Sequence, residues 1–195
     1  MSETLDQVLS RVRDCRLCKD LPLGPRPVVR ASRSAPVLII GQAPGTKVHA
    51  SGIPWDDVSG NNLRHWLGID KTLFYNTDFI SIVPMGFCYP GKGKSGDLPP
   101  RPECAPQWHQ TIFEHLEGRQ LTLLIGQYAQ NHYLDSTHKT LTARVKDWAN
   151  CPAGYFPLPH PSPRNRLWMA KNPWFETEVI PELRQRFQSA LAMTS

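Results

Sequence analysis

Two rhythms of apolar and polar positions run along the chain. Four short runs are mostly apolar, Pro36–Ile40 without a break: Pro36–Ile40, Phe79–Val83, Leu121–Ile125 and Tyr155–Leu158. Predominantly apolar runs of this length fit strands buried on both faces, as in a parallel sheet. Glycine or proline ends three of them, at Gly41, Pro84 and Gly126. Between them the apolar positions recur at helical spacing. Leu5, Val8, Leu9 and Val12 mark a helix over 3–14, ending at a Cys15–Cys18 turn. Leu63, Trp66 and Leu67 mark one over Ser59–Leu67, with Ser59 as its expected cap. Further helices are expected over Ala105–Leu116, Gln127–Leu134 and Leu141–Ala149. A closing helix is expected over Pro173–Met193, with Phe175, Val179, Leu183 and Phe187 on its buried face.

Strands alternating with helices predict a three-layer α/β/α sandwich around a central four-stranded, mostly parallel sheet. The functional site is then expected at the carboxyl ends of the strands. The 195 residues fit one domain spanning 1–195. Many of the 19 prolines cluster at 22–27, 84–106 and 152–163, which predicts loops there. The stretch from Pro84 to Pro106 reads as one long structureless loop.

Composition narrows the setting. Hydrophobic residues make up 40% of the chain, enough for a packed core. No apolar run approaches the length of a membrane span. The amphipathic start, with Glu3, Asp6, Arg11 and Arg13 among its apolar residues, is unlike a signal peptide, so a cytoplasmic protein with reduced thiols is expected. The net charge is +5 and the pI about 9.1. A basic surface suits a polyanionic partner such as DNA.

Four of the five cysteines form a pattern. Cys15 and Cys18 are a C-x2-C pair at a helix end, and Cys88 and Cys104 follow after 69 residues as C-x15-C. Paired thiolates from two distant segments can close a tetrahedral metal site, and a long loop between Cys88 and Cys104 needs an organiser. Spacing alone leaves zinc and a [4Fe–4S] cluster both open. Cys151, before a Pro-Ala-Gly turn, reads as a bystander.

Two loops carry candidate chemistry. Gly41-Gln42-Ala43-Pro44-Gly45 follows the first strand, where glycines let a backbone approach a ligand. Downstream, Trp55 could stack on a flat ring, and Asp56 or Asp57 could activate water or cap a helix. The stretch Gly86–Gly93 imitates a phosphate-binding loop, but Gly93 stands where a magnesium-binding hydroxyl is needed, which excludes nucleotide hydrolysis. After the last strand, His160-Pro161-Ser162-Pro163-Arg164-Asn165-Arg166 is a stiff loop placing His160 at the same rim. Ser162, Arg164, Asn165 and Arg166 offer donors for phosphate oxygens, and Leu167 offers an apolar wedge for a base stack.

Taken in order, these pieces resemble the uracil-DNA glycosylase superfamily, above all its iron–sulfur branch, often called family 4. The motifs that carry the resemblance are Gly41–Gly45, Gly52-Ile53-Pro54-Trp55, Ser59-Gly60, the four cysteines, Leu121–Gly126 and His160-Pro161-Ser162. The longer His160–Asn165 run looks like the single-strand-selective monofunctional uracil glycosylases. The resemblance implies that uracil is flipped into a pocket at the strand ends, that Trp55 stacks on it, and that backbone amides around Gln42 and Ala43 read its edge. It further implies that His160 stabilises the departing base anion, that the loop through Leu167 presses into DNA, and that Cys15, Cys18, Cys88 and Cys104 hold [4Fe–4S]. The cluster would then hold the Cys88–Cys104 loop so that Lys92, Lys94 and Arg101 face phosphates.

One departure changes the expected chemistry. The family's acidic stretch after the first motif is here Thr46–Ser51, with no acid. Asp56 or His49 is expected to take over that role. The reading is a monofunctional base-excision glycosylase, acting as a monomer on single- or double-stranded DNA. The alternatives are a catalytically weak or inactive metal-tied nucleic-acid-binding protein of the same fold, and a hydrolase with a second metal site at His49, Asp56, Asp57 and His160.

Overall fold

A computed structural model of the chain describes residues 3–135 and 138–193. Helix α1 (Leu5–Arg13) opens on a capping box, in which Thr4 accepts from Gln7 N–H and the Gln7 side chain accepts from Thr4 N–H. Strand β1 (Val37–Ile40) is buried at all four positions. Then come α2 (Thr46–Ser51), α3 (Val58–Leu67), α4 (Lys71–Phe74) and β2 (Ile80–Ile82).

The proline-rich stretch after β2 differs from the expected structureless loop. It holds an antiparallel hairpin of β3 (Lys92–Gly93) and β4 (Gly96–Asp97), and α5 (Cys104–Phe113) already begins at the fourth cysteine. The rest follows as β5 (Leu121–Ile125), α6 (Gln127–Tyr133), α7 (Leu141–Lys146), β6 (Tyr155–Leu158), α8 (Arg166–Lys171) and α9 (Ile180–Ala192).

Strands β2, β1, β5 and β6 form one sheet in that order, and every pairing in it is parallel. Strict alternation divides the core between its faces. Val37 and Ile39 of β1 pack with α3 and α9 residues such as Leu63, Leu67, Leu183 and Phe187. Leu38 and Ile40 pack with Leu5, Val8 and Val12 of α1 and Trp108 and Ile112 of α5. Each such side chain contributes about 1.5–3 kcal/mol by leaving water. This is the expected three-layer sandwich, with the sheet parallel throughout. The closing helix begins later than expected. Phe175–Val179 is a π-helical turn, and α9 starts at Ile180 with Pro181 in its first turn. Pro181 has no N–H to return to the preceding turn, which accounts for the widened turn. No helix among the described residues is long and apolar enough to cross a membrane.

Candidate active site

The loops at the carboxyl edge of the sheet meet around a small cavity of about 50 Å³. Gly41–Gly45 comes from the end of β1, Pro84 from the end of β2, and His160 from the end of β6. Pro54, Trp55 and Asp57 come from the loop that enters α3. The two inner loops are zipped together: Met85 N–H donates to Gly41 O and Gly86 N–H to Gln42 O, both at 2.9 Å.

Trp55 is held in an unusual backbone state. Its φ is +59°, and it is the only non-glycine residue with positive φ among those described. A bulky side chain there costs about 1–3 kcal/mol and persists only if its surroundings enforce it. The surroundings are visible. Buried Arg64, 5% exposed, donates to Trp55 O at 3.3 Å, and Tyr75 OH donates to Pro54 O at 3.0 Å. Gly60 lies so close that a Cβ there would stand 1.8 Å from Trp55 O. The indole then lies over Gly41, where a Cβ would meet it at 2.7 Å. Glycine at 41 therefore admits the indole as well as any ligand.

His160 is half-buried beside that indole, with ring centroids 5.6 Å apart and planes tilted by 32°. Burial pushes its pKa below the ordinary value, and the Asp57 carboxylate pulls it part of the way back. Its loop is anchored at several points. Asn62 of α3 donates to Pro161 O at 2.8 Å, and Asn165 donates to His160 O at 2.6 Å. Ser162 accepts from Arg164 N–H at 3.3 Å. Arg164 donates to Ser95 O at 3.1 Å, tying the loop to the β3–β4 hairpin. Three of the residues expected to face DNA thus have partners inside the protein. Arg166 is exposed, and Leu167 is 76% exposed.

The carboxylate at the cavity is Asp57. It accepts from Gly60 N–H at 2.8 Å and is the true cap of α3, in place of the expected Ser59. Asp56, one residue earlier, is not among the residues lining the cavity. His49 does not line the cavity. On α2 the lining residue is Val48, and His49 turns toward Tyr89, ring centroids 6.3 Å apart, with Nδ1 buried and unpaired. Of the four residues expected at a second metal site, Asp57 and His160 line the cavity and His49 and Asp56 do not. Gln42 lines the cavity, and its amide reaches Leu98 O at 3.4 Å. Asp97 was not anticipated. Its carboxylate would lie 3.4 Å from a Cβ at Gly45, and burial and Asp57 raise its pKa against the pull of Arg164 and Lys92. Only the hairpin puts it there, so sequence offered no signal.

Away from the cavity, Cys15 and Cys18 follow α1, Cys88 follows β2, and Cys104 opens α5. All are free thiols, and each of the six pairs among the four is close enough to interact electrostatically. Burial pushes the Cys88 thiol up to about 11, opposed by a backbone hydrogen bond from Arg26 and reinforced by the other three cysteines. Burial also raises Cys104, against a backbone hydrogen bond from Phe87. Four thiols near enough to influence one another, two of them accepting backbone N–H bonds, have the donor chemistry of a thiolate metal site, although among the described residues no three of them converge as ion ligands. Of the loop cations expected to face DNA, Lys92 and Lys94 are exposed, while Arg101 pairs with Asp20 at 2.6 Å.

A family model described as the Uracil DNA glycosylase superfamily matches residues 29–184. The chain belongs to this superfamily. The match takes in all four strands of the central sheet and every residue lining the cavity except Val28, while Cys15 and Cys18 lie outside it.

Proposed function

We propose that the protein is a monofunctional DNA glycosylase that takes a deaminated base, uracil foremost, into the cavity at the strand ends and hydrolyses its N-glycosidic bond. The observation that carries this is the meeting of Trp55, His160, Asp57 and the Gly41–Gly45 backbone at one cavity in a chain of this superfamily.

The flipped base would stack on the indole, with the backbone N–H groups of Gln42 and Ala43 along its edge. As the bond from C1′ to the base nitrogen breaks, its electron pair leaves with the base. A hydrogen bond from His160 to a base oxygen offsets the growing negative charge. Asp57 faces the opposite charge. Its carboxylate stabilises the cationic sugar or orients the water whose oxygen joins C1′. It replaces Asp56 and His49 in this role. No lysine is found among the described residues lining the cavity, so an abasic site is the expected product.

The four cysteines are read as ligands of a [4Fe–4S] cluster, with zinc as the alternative. The group would supply a structural tie between the end of α1 and the loop carrying β3–β4, well apart from the bond that breaks. The exposed Arg166, Leu167, Lys92 and Lys94 form the DNA-facing rim.

The lack of any carboxylate from Thr46 to Ser51 favours the competing reading, a protein that binds DNA without releasing a base. One assay separates them: release of uracil from single- and double-stranded oligonucleotides, read as alkali-labile strand breaks. Breaks support the glycosylase, and DNA binding without breaks supports the alternative.

A further inference from the structure

Ile82 and Pro84 form the cavity wall at the end of β2, and the segment that Pro84 opens is fixed at three points. Two are the hydrogen bonds from Met85 and Gly86 to the Gly41–Gln42 backbone. The third is the Pro84 carbonyl itself, which lies 2.9 Å from Nε2 of His109 on α5.

A carbonyl can only accept, so Nε2 carries the proton. Nδ1 is then the acceptor for the hydroxyl of Tyr133, its hydrogen-bond partner. His109 is 3% exposed. Its ring lies nearly in the plane of Tyr133, ring centroids 5.9 Å apart, and Tyr133 lies nearly parallel to Tyr155 of β6, centroids 6.4 Å apart. Phe87, Phe113 and His132 surround the rest of the ring. Burial lowers its pKa to about 4, with the Pro84 bond opposing and His132 adding to the shift.

A phenylalanine would pack as well among these rings without burying two ring nitrogens. What histidine adds is a pair of directed bonds, one of them to the cavity wall. We infer that His109 is a positioning residue: as the Nε2–H imidazole it holds the Pro84 carbonyl and so sets the wall against which a flipped base is seated. The inference rests on reading this cavity as the base site.

The test compares His109→Gln, whose amide can still donate to Pro84, with His109→Phe, which keeps the ring and loses both bonds. Melting curves establish that each is folded. With a uracil-containing oligonucleotide, His109→Phe is expected to lose roughly tenfold in kcat/KM, mainly through KM, while His109→Gln stays within about threefold of the parent. Equal loss in both variants, or none in His109→Phe, overturns the inference. A second arm needs no activity. In amide NMR spectra the Met85 and Gly86 signals should move in His109→Phe and hold in His109→Gln, and histidine ring ¹⁵N shifts of the parent should show a protonated Nε2. Unmoved amides, or a proton on Nδ1, overturn the inference even if the parent releases no base. That last result alone would sink the glycosylase reading.

Discussion

Trp55 and His160 face each other across the cavity mouth, one from the loop entering α3 and the other from the loop leaving β6, with ring centroids 5.6 Å apart. Neither position is an accident of packing. Trp55 is forced into positive φ by bonds to the carbonyls of residues 54 and 55. His160 is fixed because the loop carbonyls at 160 and 161 are both held by asparagine amides. The pair is therefore pre-positioned, an apolar indole beside a hydrogen-bonding imidazole, both lining the cavity.

The two glycines against Trp55 should be intolerant of a methyl group. At Gly60 the obstacle is backbone, 1.8 Å from the added Cβ, and nothing flexible can give way. Gly60→Ala is expected to cost about 3 kcal/mol, read by denaturant unfolding. At Gly41 the obstacle is the indole. Gly41→Ala should leave stability closer to the parent and displace Trp55, seen as a change in tryptophan fluorescence with loss of base release.

The roles of the acids and the histidine can be separated by substitution. His160→Ala should lower kcat by about 100- to 1,000-fold if it stabilises the departing base. Asp57→Asn keeps a competent helix cap, so it should remain folded. It should still lose about 100-fold or more in kcat through the missing charge. Asp56→Asn should stay within about twofold, because Asp56 does not line the cavity. Single-turnover base release checks all three.

Much of this arrangement was legible in the chain. The four strands and the long helices appear in the apolar pattern because burial on a sheet face or helix stripe leaves a period. The faces read for α3 and the closing helix, including Leu63, Phe175, Leu183 and Phe187, are buried. Short elements leave no such trace. Helices α2 and α4 have six and four residues, less than two turns. The hairpin Lys92–Asp97 has no apolar alternation at all. Asp56 and Asp57 look alike in sequence, because one residue decides which carboxylate caps a helix and lines the cavity, and that is Asp57. The spacing from Asp57 to Gly60, cap to third helical residue, was the available signal. His109 had none, since a histidine on an amphipathic helix looks the same whether it packs or positions.

Acid should destabilise the fold through His109. Its folded pKa is about 4, against an ordinary value of 6.5, so the native state resists a proton that the unfolded chain accepts. The contribution is fully present above about pH 6.5 and is lost as pH falls toward about 4, on the order of 3 kcal/mol across that window. Unfolding free energies measured across it should fall with acid in the parent. His109→Gln should show a much flatter acid limb. An identical slope in both would remove His109 as the cause.

Metal content should follow Cys15, Cys18, Cys88 and Cys104 and ignore Cys151. Protein purified without oxygen is expected to be brown, with about four irons per chain and absorbance near roughly 400 nm. Serine at Cys15, Cys18, Cys88 or Cys104 should each lower the iron content and the melting temperature. Cys151→Ser should change neither. A colourless protein with one zinc would transfer the same four ligands to the alternative metal.

The most direct test of the central claim is base release by the parent protein. A panel of oligonucleotides, single- and double-stranded, each carrying one uracil, hypoxanthine or xanthine, is incubated with the protein and then treated with alkali. The account predicts strand breaks at uracil that appear only after alkali, and their loss in Asp57→Asn and His160→Ala. Intact strands across the whole panel, with a folded and DNA-binding protein, would contradict it.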